Sequence, residues 1–217
     1  IYTYSYDAHG NLVLEEHDSD GNDVTPNDVA TYTYDANDNL LRIEEEWNGD
    51  STPEVIYSYS YDDHGNLLRE ENDYDGDGSP DQIQTFAYDD NGNRVREEYY
   101  YSGDGIPDQI KTFTYDNNGS LIREEYDYSG DGSPDQIQTY AYDNNGNLIQ
   151  EDSDYDGNGA PDIVSILTYD SNGNPERGVG HFDDNSPDQI LAFTYDADNN
   201  LASSVSYYED ETSTPAY

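Results

Sequence analysis

The stretch 59–85, YSYDDHGNLLREENDYDGDGSPDQIQT, decides how this chain folds. Its first part sets rings and aliphatic residues on either side of His64-Gly65, and its second part gathers Asp73, Asp75, Asp77 and Asp81 around Gly78 and Pro80. The pattern returns along the whole chain. Tyr-Asp pairs begin at Tyr6, Tyr34, Tyr61, Tyr88, Tyr115, Tyr142, Tyr169 and Tyr195, with spacings of 28, 27, 27, 27, 27, 27 and 26 residues. They mark eight repeats, approximately 4–31, 32–58, 59–85, 86–112, 113–139, 140–166, 167–192 and a shorter 193–217. A fixed period of this size predicts one tandem array whose units pack on their neighbours.

Composition explains why order has to come from tiling. The 217 residues carry 50 acidic side chains against 7 basic ones, a formal charge of −43, with 32% hydrophobic residues. Such a balance ordinarily predicts disorder. Twenty-four tyrosines and the strict period argue the other way. There is no cysteine, so neither a disulfide framework nor a thiolate metal site is possible. No apolar run approaches the roughly 20 residues that span a bilayer, so membrane insertion is not expected. Phosphates would be repelled, which excludes nucleic acid as a natural partner and leaves cations. The sequence starts and stops in mid-pattern, which reads as a window cut from a longer array.

Within each unit the local code predicts two strands. DQIQTFAYD, 81–89, is rich in β-formers and free of internal Gly or Pro. His64-Gly65, or Asn-Gly at 91–92, 118–119, 145–146 and 172–173, follows. Asn-Gly between strands predicts a type I′ hairpin turn with both central residues at positive φ. A second strand such as NLLREEN or SLIREEY comes next, and the acidic Gly/Pro segment leads into the following unit. The predicted fold is therefore all-β: a linear, solenoid-like or shaft-like array of stacked hairpins of about 27 residues. A ring two residues before most Tyr-Asp tyrosines (Tyr4, Tyr32, Tyr59, Phe86, Phe113, Tyr140, Phe193) and an aliphatic column (Ile83, Ile110, Ile137, Ile190) mark the packed face. Arg42, Arg69, Arg96, Arg123 and Arg177 form a further column, expected as exposed ion pairs worth about 0–1 kcal/mol each.

The motif YxYDxxGNLxRE resembles the Tyr-Asp (YD) repeat of Rhs and teneurin-type proteins, whose core runs Tyr-x-Tyr-Asp-x-x-Gly before a hydrophobic strand. The likeness covers roughly the first dozen residues of each unit. It implies β-hairpins that spiral, outside the cell or around an enclosed toxin. The acidic connector and the long regular period depart from that family.

The connector resembles a second family. Asp73-x-Asp75-x-Asp77-Gly78-x-x-Asp81 is similar to the D-x-D-x-D-G-x-x-D unit of thrombospondin type 3 calcium repeats and to the opening of EF-hand loops. Calcium takes six to eight hard oxygens, and alternate side chains of a tight loop can converge on one point. The candidate ligands are Asp73, Asp75, Asp77 and Asp81 in the third repeat, Asp127, Asp131 and Asp135 in the fifth, and Asp154, Asp156, Asn158 and Asp162 in the sixth. Weaker sets are Asp18, Asp20, Asn22 and Asp28 in the first repeat, Asp183, Asn185 and Asp188 in the seventh, and Asp104 and Asp108 in the fourth, where turn chemistry is the expected role. The second repeat, WNGDSTPE, lacks the set. No loop has the EF-hand's closing Glu; Gln84, Gln138 and Ser165 stand there, so Ca²⁺ affinity on the order of 10⁻⁴–10⁻³ M is expected.

Nothing points to catalysis. Every acidic cluster belongs to the repeat, the four histidines (His9, His17, His64, His181) form no ligand pair, and GxSxG, P-loop and HExxH motifs are missing. Asn118-Gly-Ser120 is a weak N-glycosylation acceptor. The expected role is a non-enzymatic extracellular or cell-surface array, structural or adhesive, stiffened by Ca²⁺. Its partners would be copies of itself or a surface or matrix protein. An Rhs-like shell or toxin-associated surface protein and a carbohydrate-binding repeat surface are the alternatives.

Overall fold

The computed structural model describes residues 1–18, 26–184 and 186–209, and the repeats fold as the alternation of strands and turns predicts. Among the described residues sixteen antiparallel strands follow one another in the sheet in chain order, and no helix occurs. The chain divides into two compact units, Ile1–Ile110 and Lys111–Tyr217.

The first unit contains β1 (Tyr2–Tyr6), β2 (Leu12–His17), β3 (Asp28–Tyr34), β4 (Leu40–Glu46), β5 (Val55–Tyr61), β6 (Leu67–Asp73), β7 (Gln82–Tyr88), β8 (Arg94–Tyr100) and the first residues of β9 (Gln109–Tyr115). The second holds the rest of β9, then β10 (Leu121–Asp127), β11 (Gln136–Tyr142), β12 (Leu148–Asp154), β13 (Ile163–Tyr169), β14 (Pro175–Phe182), β15 (Asp188–Tyr195) and β16 (Leu201–Glu209).

The hairpin turn differs from the type I′ expectation. Gly65, Gly92, Gly119, Gly146 and Gly173 take positive φ, but the residue before each does not. The Tyr-Asp aspartate is the cause. Asp62 Oδ1 accepts the N–H groups of His64 (2.8 Å) and Asn66 (2.9 Å), and its Oδ2 accepts the Asn66 side-chain amide (2.9 Å). The Gly65 N–H reaches the Asp62 carbonyl at 3.1 Å. That is a type I-like turn with Gly in its last place, closed by a bulge at Ser60/Tyr61. One carboxylate therefore organises the loop that the Asn-Gly dipeptide only marks.

These contacts set an acid limit. The Asn66 amide, followed by the backbone N–H groups, holds the Asp62 carboxyl below its usual range, and the aspartates at 7, 35, 89, 116, 143, 170 and 196 are lowered by the same kinds of contact. A carboxyl depressed in the folded state stabilises above its unfolded pKa and loses that contribution as pH falls through the folded value. Titrating the side-chain carboxyls by NMR should find this column protonating below free aspartate, with cooperative loss of the hairpin signals following. Titration at the ordinary aspartate value would contradict the turn geometry.

Packing is thin, as composition requires. Val55, Ile56, Ile110, Ile137 and Ile190 are buried, with Ile190 at 1% exposure. Ile83, the other member of the predicted aliphatic column, is half-buried. Tyrosine hydroxyls tie one hairpin to the one before it: Tyr169 donates to the Leu148 carbonyl at 2.8 Å, and Tyr195 to the Pro175 carbonyl at 3.0 Å. The arginine column forms ion pairs along its own strands, Arg42–Glu44, Arg69–Glu71, Arg96–Glu98 and Arg123–Glu125, at 2.6–2.7 Å. Arg177 departs and lies 3.8 Å from Glu209.

Candidate metal centre

Each connector joins the end of one hairpin to the start of the next, so its first and ninth positions lie at strand ends. In the third repeat these are Asp73, the last residue of β6, and Asp81, which immediately precedes β7. The Asp81 N–H closes the pair on the Asn72 carbonyl at 2.9 Å. That anchor returns at Asp108, Asp135 and Asp162, whose N–H groups bond the carbonyls of Tyr99, Tyr126 and Ser153 at 2.7–2.8 Å.

Most carboxylates of the loop are organised by backbone N–H groups. The sixth-position glycine donates to the first carboxylate: Gly78 to Asp73 (2.8 Å), Gly132 to Asp127 (2.7 Å) and Gly159 to Asp154 (2.7 Å). The second-position tyrosine donates to the ninth: Tyr74 to Asp81, Tyr101 to Asp108, Tyr128 to Asp135 and Tyr155 to Asp162, at 2.6–2.8 Å. The fifth position accepts an N–H two residues on, from Ser79 at Asp77, Ile106 at Asp104, Ser133 at Asp131 and Ala160 at Asn158. These donors offset part of the repulsion among like charges.

Three carboxylates converge in two of the predicted loops. One oxygen each of Asp73, Asp75 and Asp81 lies within 4.8 Å of the other two, and the same holds for Asp154, Asp156 and Asp162. Asp77 stands outside the first group and accepts the Ser79 N–H, so there the fifth position serves the turn. Asp73 is 4% exposed, and its Oδ1 is buried without a hydrogen-bond partner. A buried carboxylate oxygen with no donor is costly unless something positive meets it.

The fifth repeat does not gather three carboxylates. Ser129 replaces the third-position Asp and donates both its N–H (3.1 Å) and its hydroxyl (3.2 Å) to Asp127 Oδ1, which also accepts the Gly130 N–H at 2.7 Å. Burial pushes the Asp127 carboxyl up, but the N–H groups of Gly132, Ser129 and Gly130 outweigh it and leave the group below the usual range. Asp127 is satisfied by the protein itself. The fourth repeat has Tyr100 at the first position, and Asp104 and Asp108 accept loop N–H groups only.

Strand register corrects three other readings. In the seventh repeat Val164 pairs with His181, as Ile137 pairs with Asp154, so His181 and not Asp183 holds the first position. It meets the ninth-position Asp188 directly, Nδ1 to Oδ2 at 2.8 Å. In the first repeat Asn27 carries the ninth-position backbone bond, to the His17 carbonyl, while Asp28 lies one place later and pairs with His17 at 2.9 Å. Asp18 bonds the Ile1 carbonyl through its N–H; Asp20, Asn22 and Asn185 lie outside the described residues.

In the second repeat, whose sequence suggests that the set is lost, Val29 pairs with Glu46, which places Glu46 first and Glu54 ninth. One oxygen each of Glu46, Asp50 and Glu54 falls within 4.8 Å of the others. Counting twelve and twenty residues on from each Tyr-Asp tyrosine is the signal that finds them. Their oxygens accept N–H groups of Trp47, Asn48, Gly49 and Asp50 and the Asn48 side-chain amide, and the group has no buried member.

Asn118, the acceptor of the glycosylation tripeptide, is exposed in its hairpin turn, where its N–H bonds Asp116.

No protein-family model matches the chain, and no curated protein matches it. Among solved structures, the chain is similar to a TcdB2-TccC3 crystal structure (17% identity, TM-score 0.42, 98% of this chain and 13% of the other). It is also similar to a Photorhabdus luminescens Tc holotoxin pore (18%, 0.44, 98% and 12%). A porin-like protein from Bacteroides uniformis gives 14% identity and a TM-score of 0.40, over the whole of this chain and 85% of that one. The chain spans about an eighth of the length of the toxin chains. At these identities and scores the likenesses carry no functional weight.

Proposed function

We propose that this is a non-catalytic structural repeat array of the cell exterior whose hairpins are clamped together by Ca²⁺. The observation that carries the reading is Asp73: a buried carboxylate with one oxygen unpartnered, beside Asp75 and Asp81. Like charges about 5 Å apart at an effective dielectric of 20 repel by about 3 kcal/mol. A divalent ion reverses that sign. Asp73 ends β6 and Asp81 precedes β7, so an ion held between them ties two hairpins together at the point where the chain passes from one to the next. Asp154 and Asp162 do the same for β12 and β13.

Three carboxylates do not complete a calcium shell, and the rest would come from water or backbone carbonyls. Affinity in the range of about 10⁻⁴–10⁻³ M follows, which suits the calcium-rich exterior of a cell. At roughly 10 mM Ca²⁺ such a site would add about 1.4–2.7 kcal/mol. The test is thermal unfolding with calcium at that concentration and with excess chelator, at matched ionic strength. Calcium should raise the midpoint by several degrees and Mg²⁺ by much less. Identical midpoints would end the calcium reading.

A further inference from the structure

We propose that the first two repeats carry a binding cleft for a primary alkylammonium group. The cleft, about 450 Å³, lies across β1–β4 and is built around Ala30. Strand register sets Ala30 directly opposite Glu15 on β2 and Glu45 on β4. With neighbouring strands about 4.8 Å apart, the two glutamates stand on backbones about 10 Å from one another, with a single methyl group between them. The places equivalent to Ala30, four residues before each Tyr-Asp tyrosine, hold Tyr2, Tyr57, Gln84, Lys111, Gln138, Ser165 and Leu191. Ala30 is the smallest of these, and it lines the hollow.

The walls fix the chemistry of the occupant. Tyr2 stacks on His17, with ring centroids 4.2 Å apart, Trp47 lies 49% exposed, and Tyr32 also lines the cleft. Glu15, Glu45 and Glu46 enter no salt bridge among the described residues, and no Lys or Arg lines the cleft. The size is within the range of small-ligand sites. Carboxylates beside aromatic faces favour an organic cation, through charge and cation–π attraction. A neutral polyol is poorly served, because the Tyr32 hydroxyl is already engaged by Glu15 and His17 Nδ1 by Asp28.

One of the equivalent places holds an ammonium group. In β9 the equivalent residue is Lys111, and its ammonium sits 5.6 Å from the centroid of Tyr126, the ring at the place corresponding to Glu45. There a primary ammonium on an alkyl stem belongs to the fold. Ala30 supplies no such group, so at this place an ammonium would come from outside, as a free alkylamine or as the lysine of a partner.

Trp47 is the sole tryptophan, so its emission reports on this cleft alone. The full chain is titrated with n-pentylammonium chloride at constant ionic strength, in chelator. A saturable change with one ligand per chain is expected. Ala30→Lys, which installs the side chain of β9, should weaken binding by about tenfold or more while the circular dichroism spectrum and melting midpoint hold. If that variant does not fold, Glu15→Gln with Glu45→Gln should show the same loss. Nα-acetyllysine amide in a parallel arm separates the sources: tighter binding than pentylammonium assigns a partner's lysine, and weaker binding a free amine. An equal response to 1-pentanol, no saturation, or an unchanged response in both variants would overturn the proposal.

Discussion

Alanine at Gly76 should unlock the connector of the third repeat, at a cost of about 3 kcal/mol or more. Two independent effects act there. Gly76 has φ +67, where an L side chain costs about 1–2 kcal/mol. A Cβ built on it would also stand 1.9 Å from the Pro53 carbonyl oxygen of the preceding connector, a backbone atom that cannot swing aside. Gly157 repeats the arrangement against Pro134 at 2.0 Å. Gly119 provides the control, because it shares positive φ at +83 but has nothing within 4 Å of the added carbon. Gly119→Ala should therefore lose only the conformational part, about 1–2 kcal/mol. Urea unfolding of the three variants measures the difference. Equal losses at Gly76 and Gly119 would mean that the connectors do not pack backbone on backbone.

Calcium stoichiometry should follow the third loop position. Wild type is expected to bind two ions, in the third and sixth repeats, by calorimetry in millimolar calcium. Asp75→Asn should remove one of them. Asp75 is exposed and its Oδ1 accepts the Asp77 N–H at 3.2 Å, so stability without calcium should change by only about 0.5 kcal/mol. Ser129→Asp should add a third ion, since it places a carboxylate where the serine hydroxyl now bonds Asp127. Two ions before and after both substitutions would show that binding resides elsewhere.

Much of the fold is legible in the sequence because a tandem array repeats its signal. The Tyr-Asp period places the hairpins, and the Ile column falls on buried positions at Ile110, Ile137 and Ile190. The turn escapes that reading for a specific reason. Asn-Gly suggests two residues at positive φ, whereas the carboxylate of Asp62 captures two N–H groups and leaves only Gly65 there. The converging carboxylates escape it where alternation of aspartates stands in for register. Asp77 belongs to the alternating set but serves its own turn, and Glu46 and Glu54 lie outside a search for aspartates.

Residue order alone determined the period, the β class and the anionic character, since these depend on side-chain type and interval. Which oxygens meet could be settled only once the strands were paired. Register carries Glu46 and Glu54 to one end of the second repeat, puts His181 where a carboxylate was expected, and leaves one oxygen of Asp73 buried without a donor. Residues far apart along the chain become neighbours through backbone pairing, and that pairing belongs to the folded sheet.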